Sequence, residues 1–146
     1  MKIITKTFDQ LTASEIYDIL QLRTEIFVVE QNCVYQDMDG KDQKALHVIG
    51  LKENKIIAYT RCFKPGDYFE EASIGRVVVA KSQRKHNYGN LIMIASIEAI
   101  KTHYNTRIIK LSAQCYLNKF YSNLGFKDVG KEYLEDGIPH IAMIKD

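Results

Sequence analysis

The chain has 146 residues, 46% of them hydrophobic and 26% charged, with a formal net charge of +2. These values fit one domain with a real core; they exclude a disordered chain and do not by themselves indicate a nucleic-acid or membrane-surface partner. No apolar run approaches the ~20 residues that cross a bilayer, and the first residues lack a signal-peptide core. Cys33, Cys62 and Cys115 show no metal-ligand spacing, so we expect a cytoplasmic protein without a metal site.

The first part of the chain predicts a strand followed by a helix. Residues 2–8 are β-prone and partly alternating, which indicates an edge strand. Thr12 and Glu15 have the spacing of a capping box, in which each side chain bonds the other residue's backbone N–H. Apolar residues at helical spacing follow, so the first helix is predicted from about residue 13 into residues 27–29.

The acidic segment that begins at Asp37 has the look of a calcium loop. An EF-hand needs a glycine at its sixth position and a glutamate at its twelfth. Counted from Asp37, these positions hold Asp42 and Val48. The comparison fails, and we predict a polar turn around Asp39 and Gly40 instead.

The remainder of the chain alternates strands with two further helices. A long helix is predicted from about Leu91, and a short helix at residues 116–124 ends at Gly125, where glycine commonly terminates helices. Apolar runs predict strands at residues 45–51, 56–63, 74–79, 107–113, 126–133 and 139–144. With no internal repeat and no linker, we predict one α/β domain over residues 1–146.

Residues 76–93 carry the clearest functional signal of the residues themselves. A β-branched strand runs into a short basic loop, and the loop leads directly into the long helix. The first N–H groups of a helix have no internal partner, and the helix dipole adds positive charge there. Such an end suits a phosphate group. The alternative is an ordinary strand-loop-helix connection with solvated basic residues.

The same loop resembles the Arg/Gln-x-x-Gly-x-Gly/Ala motif of the GNAT superfamily of acyl-CoA-dependent N-acyltransferases. Arg84 opens the motif and Gly89 closes it, while Asn87 stands where the middle glycine usually falls. Asparagine is the residue next best able to adopt the left-handed conformation. A second segment, residues 111–126, resembles the later strand-helix-Gly-Phe motif of the superfamily.

Three further segments, residues 22–35, 37–47 and 133–140, resemble the ElaA-like branch of the superfamily. The resemblance therefore covers nearly the whole chain. It implies the GNAT variant of an α/β (α+β) fold: a mixed, mostly antiparallel sheet of six to seven strands with helices on both faces.

The resemblance also implies the chemistry: an acetyl group passes from acetyl-CoA, used as a co-substrate, to a primary amine by direct attack in a ternary complex. The pantetheine arm would pair with the backbone of Val77, Val78 and Val79, and an N–H near Val78 would polarise the thioester carbonyl. Asn118 would bond the pantetheine or adenylate part of CoA. The diphosphate would rest on the N–H groups of Arg84, Lys85, His86, Asn87, Tyr88, Gly89 and Asn90.

Two proton transfers complete this implied reaction. Tyr121 matches the position from which the family commonly supplies an acid, and a phenol can protonate a departing thiolate. The alternative is a tyrosine packed under the last strands. Asn118 precedes Tyr121 by one helical turn, which predicts that both side chains share a face.

Three residues compete for the role of base, with Glu30 and His140 ranked ahead of His47. Histidine titrates near neutrality, whereas a glutamate would need its pKa raised by burial or would act through a water molecule. The alternatives are structural, since Glu30 could pair with Arg23 or Arg61 and His140 could cap a strand. The residues alone leave this choice open.

Other reactive residues are interpreted as structural. Arg76 could anchor a substrate anion, but an ion pair within the fold is favoured. Cys33 and Cys115 match no Cys–His arrangement, so burial is favoured over a nucleophilic role.

The rival functions are a non-catalytic CoA-binding sensor or interaction module and, third, a nucleic-acid binder, which would need a broader basic surface. Acidic residues at the expected acceptor mouth favour a small cationic amine; these are Glu30, Asp37, Asp39, Glu135 and Asp136. Exposed strand edges permit a homodimer.

Overall fold

Seven strands and three helices make up the computed structural model, which describes residues 1–146. The helices are α1 (Ala13–Arg23), which continues into a π-helical segment (Thr24–Glu30), α2 (Tyr88–Tyr104) and α3 (Asn118–Ser122). The strands are β1 (Lys2–Thr7), β2 (Leu46–Lys52), β3 (Lys55–Phe63), β4 (Ala72–Val79), β5 (Ile109–Gln114), β6 (Lys127–Glu135) and β7 (Ile138–Lys145).

The strands form a single sheet in the order β1-β2-β3-β4-β5-β7-β6. Every neighbouring pair is antiparallel except β4 and β5, which are parallel. The predicted mixed, mostly antiparallel sheet is therefore confirmed, and β1 lies at its edge as expected.

Apolar alternation along the strands supplies a core on each face of the sheet. Val48 packs in the larger core with Ile92 and Met93 of α2, whereas its neighbour Ile49 packs in the smaller core with Ile19 of α1. Adjacent strand residues point to opposite faces, so one strand serves both cores. Helices consequently cover both faces, as predicted.

The predicted capping box fixes the start of α1. The N–H of Glu15 donates to Thr12 Oγ1 at 3.1 Å, and the N–H of Thr12 donates to Glu15 Oε1 at 2.8 Å. From Thr24 the helix widens to π geometry and runs on to Glu30. The helix therefore reaches the predicted end region, and it carries Glu30 to the edge of the sheet's central opening.

That opening arises where β4 and β5 part. Only two residue pairs join these strands, Ala72 with Ile109 and Ser73 with Lys110. Arg76 has φ of 48° at a register shift between β3 and β4. A bulge of this kind bends a strand, so β4 turns away from β5 beyond Ser73.

An ionic cluster stabilises the bulge through Arg76. Its members are Arg23, Arg61, Arg76, Asp37, Asp39 and Asp42. Arg76 Nε lies 2.7 Å from Asp37 Oδ1, and Arg23 Nε lies 2.7 Å from the other oxygen of that carboxylate. The structural ion pair favoured for Arg76 is confirmed, and it stabilises a backbone conformation that few side chains adopt.

The outer strand β6 is exposed along all nine residues. Val129, Tyr133 and Leu134 are among its exposed apolar side chains. This edge is compatible with the predicted homodimer, which stays a prediction.

No helix of the protein combines the length and the apolar character needed to span a membrane.

Candidate active site

The parted strands open a cleft of about 530 Å³. One wall is the edge of β4, and the other is formed by β5 together with the tip of the β6–β7 hairpin. The loop before α2 closes one end, and the π-helical segment lies over the other side. The cleft therefore brings the two sequence motifs of the chain to one place.

The backbone of β4 presents polar groups to this cleft. The N–H of Ala80 donates to the carbonyl of Ile57 on β3 at 2.8 Å. Because successive strand residues direct their backbone groups to opposite sides, Val78 faces β3, while Val77 and Val79 face the cleft. An N–H near Val78 that polarises a thioester, as predicted, would have to be that of Val77 or Val79.

The loop before α2 ends in unpaired backbone N–H groups. None of the N–H groups of residues 85–90 donates to another backbone group. Asn87 occupies the left-handed region with φ of 64°, which confirms that asparagine takes the conformation expected of the missing glycine. The cluster of free donors at the start of a 17-residue helix is the arrangement that binds phosphate groups.

Most of the predicted cofactor-binding residues line the cleft: Val77, Val78, Val79, Arg84, Lys85, Asn87, Tyr88, Gly89 and Asn90. His86 does not; its side chain is exposed and lies against Tyr88, with ring centroids 5.5 Å apart. The ring of His86 is therefore no part of the cleft wall, and its backbone N–H is the group left for the predicted role.

Asn118 also lies outside the cleft. Its Nδ2 donates to Asp128 Oδ1 at 2.5 Å, and its Oδ1 accepts from Ser122 Oγ at 3.3 Å. Tyr121, three residues later on the same helix, does line the cleft. The CoA-binding role expected of Asn118 therefore stays a prediction, and in this structure its amide is bonded to β6.

Tyr121 is buried, with 5% of its surface exposed, and it lines the cleft. Its ring packs edge-on against Phe120 and Phe126 at centroid distances of 5.0 and 6.1 Å. Burial, followed by the nearby Tyr116 hydroxyl, raises the pKa of Tyr121, and no hydrogen bond contributes to the shift. The phenol is therefore protonated at neutral pH and free to donate.

Glu30 is held by Arg84 and by neither of the arginines suggested from the sequence. Arg84 Nη2 lies 2.6 Å from Glu30 Oε1, and Arg84 Nη1 lies 2.7 Å from Oε2. This two-pronged bond lowers the pKa of Glu30 below its ordinary value. The raised pKa that a glutamate base requires is not met in this arrangement.

His140 lies in the cleft wall and is 6% exposed. Its Nδ1 lies 2.6 Å from the carbonyl oxygen of Ile138, which can only accept, so Nδ1 carries a proton. Nε2 is consequently the basic atom of the neutral ring, and it lies 3.3 Å from Glu135 Oε2. The ring also stacks on Tyr133, with centroids 6.1 Å apart.

His47 is remote from the cleft. Its Nδ1 lies 2.6 Å from the Tyr59 hydroxyl, and its Nε2 lies 2.9 Å from the carbonyl oxygen of Asp42. Burial lowers the pKa of His47. Both nitrogens are engaged within the fold, which agrees with its lower rank among the candidate bases.

The acidic mouth expected from the sequence is smaller than predicted. Asp37 and Asp39 are bound by arginines of the ionic cluster and do not line the cleft. Glu30, Glu135 and Asp136 do line it. No group of three or more His, Cys, Asp or Glu side chains is arranged to hold a metal ion.

Two contacts tie the cleft walls together. The side-chain amides of Gln31 and Gln114 exchange hydrogen bonds of 3.1 and 3.3 Å across it. Cys33 donates from Sγ to the carbonyl of Asp136 at 3.3 Å, which joins the hairpin tip to the segment after the π-helix. Cys33 is thus engaged in a structural contact, as favoured from the sequence.

A model of the GNAT acetyltransferase domain matches residues 11–146. The chain belongs to the GNAT acetyltransferase family. This GNAT chain is 41% identical to Protein ElaA of Escherichia coli over 139 residues, which cover 94% of it and 91% of ElaA. The crystal structure of an acyl-CoA N-acyltransferase from Pseudomonas aeruginosa superposes on it with a TM-score of 0.94, 36% identity and 100% coverage of both chains. The crystal structure of E. coli ElaA gives a TM-score of 0.91 with the same identity and coverage.

These similarities confirm the predicted superfamily, its ElaA-like branch and the fold class, and the chain is a GNAT-type acyltransferase. The roles of single residues stay predictions.

The pairing of Glu135 with His140 was missed from the sequence. Asp136 and Gly137 form a two-residue hairpin turn with φ of 51° and 79°. Asp-Gly is a strong signal for such a turn, and the turn fixes which residues of β6 and β7 approach each other. The bonds between Arg84 and Glu30 and between Gln31 and Gln114 had no comparable signal.

Proposed function

We propose that this GNAT protein is an acetyl-CoA-dependent N-acetyltransferase that moves an acetyl group to a primary amine by direct attack in a ternary complex. The observation that carries the proposal is the row of unpaired N–H groups at residues 85–90 beside the open edge of β4. One cleft thereby offers donors for a diphosphate and a strand edge for the pantetheine amides.

In the proposed reaction, backbone N–H groups rather than side chains bind and polarise the acetyl donor. The cleft-facing N–H groups of Val77 and Val79 are suited to hold the thioester oxygen as it gains negative charge. Neither group needs a particular side chain, which agrees with the plain apolar character of β4. The role proposed for residues 84–90 is likewise to bind the diphosphate through their N–H groups.

Tyr121 is proposed as the acid. When the amine nitrogen attacks the carbonyl carbon and the C–S bond breaks, the CoA thiolate leaves with an electron pair and needs a proton. The buried phenol lines the cleft, is protonated at neutral pH and makes no hydrogen bond within the protein, which supports it as the source of that proton.

His140 is proposed as the base, ahead of Glu30. The acceptor enters as an ammonium ion and must lose a proton before its nitrogen can attack. Nε2 of His140 is the atom able to take this proton, and Glu135 at 3.3 Å stabilises the imidazolium that results. Glu30 is less suited because its bond to Arg84 lowers its pKa.

The test is release of thiol from acetyl-CoA in the presence of a panel of primary amines, combined with calorimetry of CoA binding. Amine-dependent thiol release together with CoA binding is the expected result. CoA binding without release for any amine would favour the non-catalytic sensor or module. Absence of heat with CoA would overturn the proposal as a whole.

A further inference from the structure

The bond between Arg84 and Glu30 crosses the place where the donor substrate is proposed to lie. Arg84 comes from the loop before α2, and Glu30 ends the π-helical segment, 54 residues earlier in the chain. Both side chains line the cleft. The exposed fractions of their side chains are 42% for Arg84 and 27% for Glu30, so the bond is accessible to solvent and to solutes.

The geometry of this bond is that of anion recognition. Each terminal nitrogen of Arg84 donates to one carboxylate oxygen of Glu30, Nη2 to Oε1 at 2.6 Å and Nη1 to Oε2 at 2.7 Å. A guanidinium binds a phosphate group in the same two-pronged manner. The carboxylate of Glu30 thus takes the position on Arg84 that a phosphate oxygen pair could take.

A second contact of Arg84 lies on the open strand edge. Its Nε donates to the carbonyl oxygen of Val79 at 3.4 Å. Val79 is one of the two valines whose backbone faces the cleft. Arg84 therefore spans from the π-helical segment to β4 and lies across the end of the edge proposed to pair with pantetheine.

We infer that Glu30 competes with the CoA diphosphate for Arg84. Glu30 binds Arg84 in the free protein and releases that arginine to the diphosphate when CoA binds. This inference rests on the proposed function. The exchange trades one two-pronged bond of Arg84 for another, so the intact bond weakens CoA binding. Once exchanged, Glu30 is left as an unpaired carboxylate beside the cleft, which suits the ammonium group of an acceptor that binds after the donor.

The test is a double-mutant cycle on CoA affinity, measured by calorimetry on Glu30→Gln, Arg84→Gln and the double variant. Glu30→Gln should bind CoA about two- to fivefold more tightly, the range expected from the strength of an exposed ion pair. Arg84→Gln should bind more weakly. In the Arg84→Gln background the added Glu30→Gln change should have no effect.

Glu25→Gln is the matched control, since Glu25 is an exposed glutamate of the same π-helical segment without an ion pair. It removes the same charge and should leave CoA affinity unchanged. The inference is overturned if Glu30→Gln fails to tighten binding, if the gain persists without Arg84, or if Glu25→Gln gives the same gain. Wild-type protein that binds no CoA would instead defeat the proposed function.

Discussion

At the scale of single residues, removing the hydroxyl group of Tyr121 tests whether this residue acts as an acid or only packs in the core. Tyr121→Phe keeps the ring contacts with Phe120 and Phe126 and removes only the phenol. We expect kcat to fall by about 10² or more, because general acid–base groups contribute on the order of 10²–10⁴. CoA affinity and thermal stability should stay near wild type. Steady-state thiol release measures kcat, calorimetry measures CoA affinity, and an unfolding curve measures thermal stability. A fully active variant would show that Tyr121 has only a packing role.

His140 and Glu135 should behave as a pair of unequal members. His140→Gln removes the proposed proton acceptor and should lower kcat by about 10² or more. Glu135→Gln leaves the ring in place and should cost less, since it removes only the charge that stabilises the imidazolium. His103→Gln is the control, because His103 also bonds a backbone carbonyl, that of Ala99 at 2.9 Å, but on the far end of α2. Equal losses in all three variants would contradict the assignment.

At the scale of elements, the left-handed residue before α2 decides where the first N–H groups of that helix point. Asn87→Gly allows the same φ of 64° and should keep CoA affinity. Asn87→Val places a β-branched residue in a conformation that costs about 1–2 kcal/mol. We expect Asn87→Val to bind CoA roughly tenfold more weakly, because the loop relaxes and the donors lose their alignment. Calorimetry on the two variants checks this, and equal affinities would show that the loop does not depend on Asn87.

The elements themselves were predictable from the sequence, and the reason is local. The capping box of Thr12 and Glu15, the left-handed Asn87 and the left-handed Gly125 that follows α3 depend on residues a few positions apart. The predicted short helix was too long, since α3 covers only Asn118–Ser122. The GNAT motifs added the placement of the cleft. Side-chain partners were less predictable: no spacing rule connects Asn118 on α3 with Asp128 on β6, to which its amide donates.

Ion pairs between residues distant in the sequence were also not predictable. Six charged residues form the ionic cluster. Two of its arginines, Arg23 and Arg61, were the partners suggested for Glu30 from the sequence. Burial decides the matter, since Arg23 and Arg61 are 0% and 1% exposed and are taken by aspartates. Glu30 at the protein surface is left with Arg84, which no spacing rule connects to it.

At the scale of the whole molecule, the ionic cluster makes stability depend on acid pH. Burial alone would raise the pKa of Asp39, but hydrogen bonds and charge from Arg61 lower it from 3.8 to about 2. The pKa of Asp42 is also lowered, by Arg23 and Arg61 against the effect of burial. A carboxyl group whose pKa is lower in the folded state contributes stability above its unfolded pKa and loses that contribution as the pH falls toward the folded value.

The free energy of unfolding should therefore fall between about pH 4 and pH 2. The share of Asp39 is at most about 2.5 kcal/mol before solvent screening and less after it, because this side chain is partly exposed. Urea unfolding at several pH values measures the slope. Asp39→Asn should be less stable at pH 6 and decline less steeply, whereas Asp18→Asn, at an exposed position on α1, should keep the wild-type slope. A wild-type slope in Asp39→Asn would contradict the assignment.

The seam between β4 and β5 has a mechanical consequence. Because β4 and β5 share only two residue pairs, the sheet consists of a four-stranded panel (β1 to β4) and a three-stranded panel (β5 to β7) that are paired at one corner only. Amide hydrogens along the unpaired edges of β4 and β5 should exchange with deuterated water sooner than those inside either panel. A linear donor molecule bound between β4 and β5 would connect the two panels. Protection of amide hydrogens from exchange should therefore rise on both panels together when it binds.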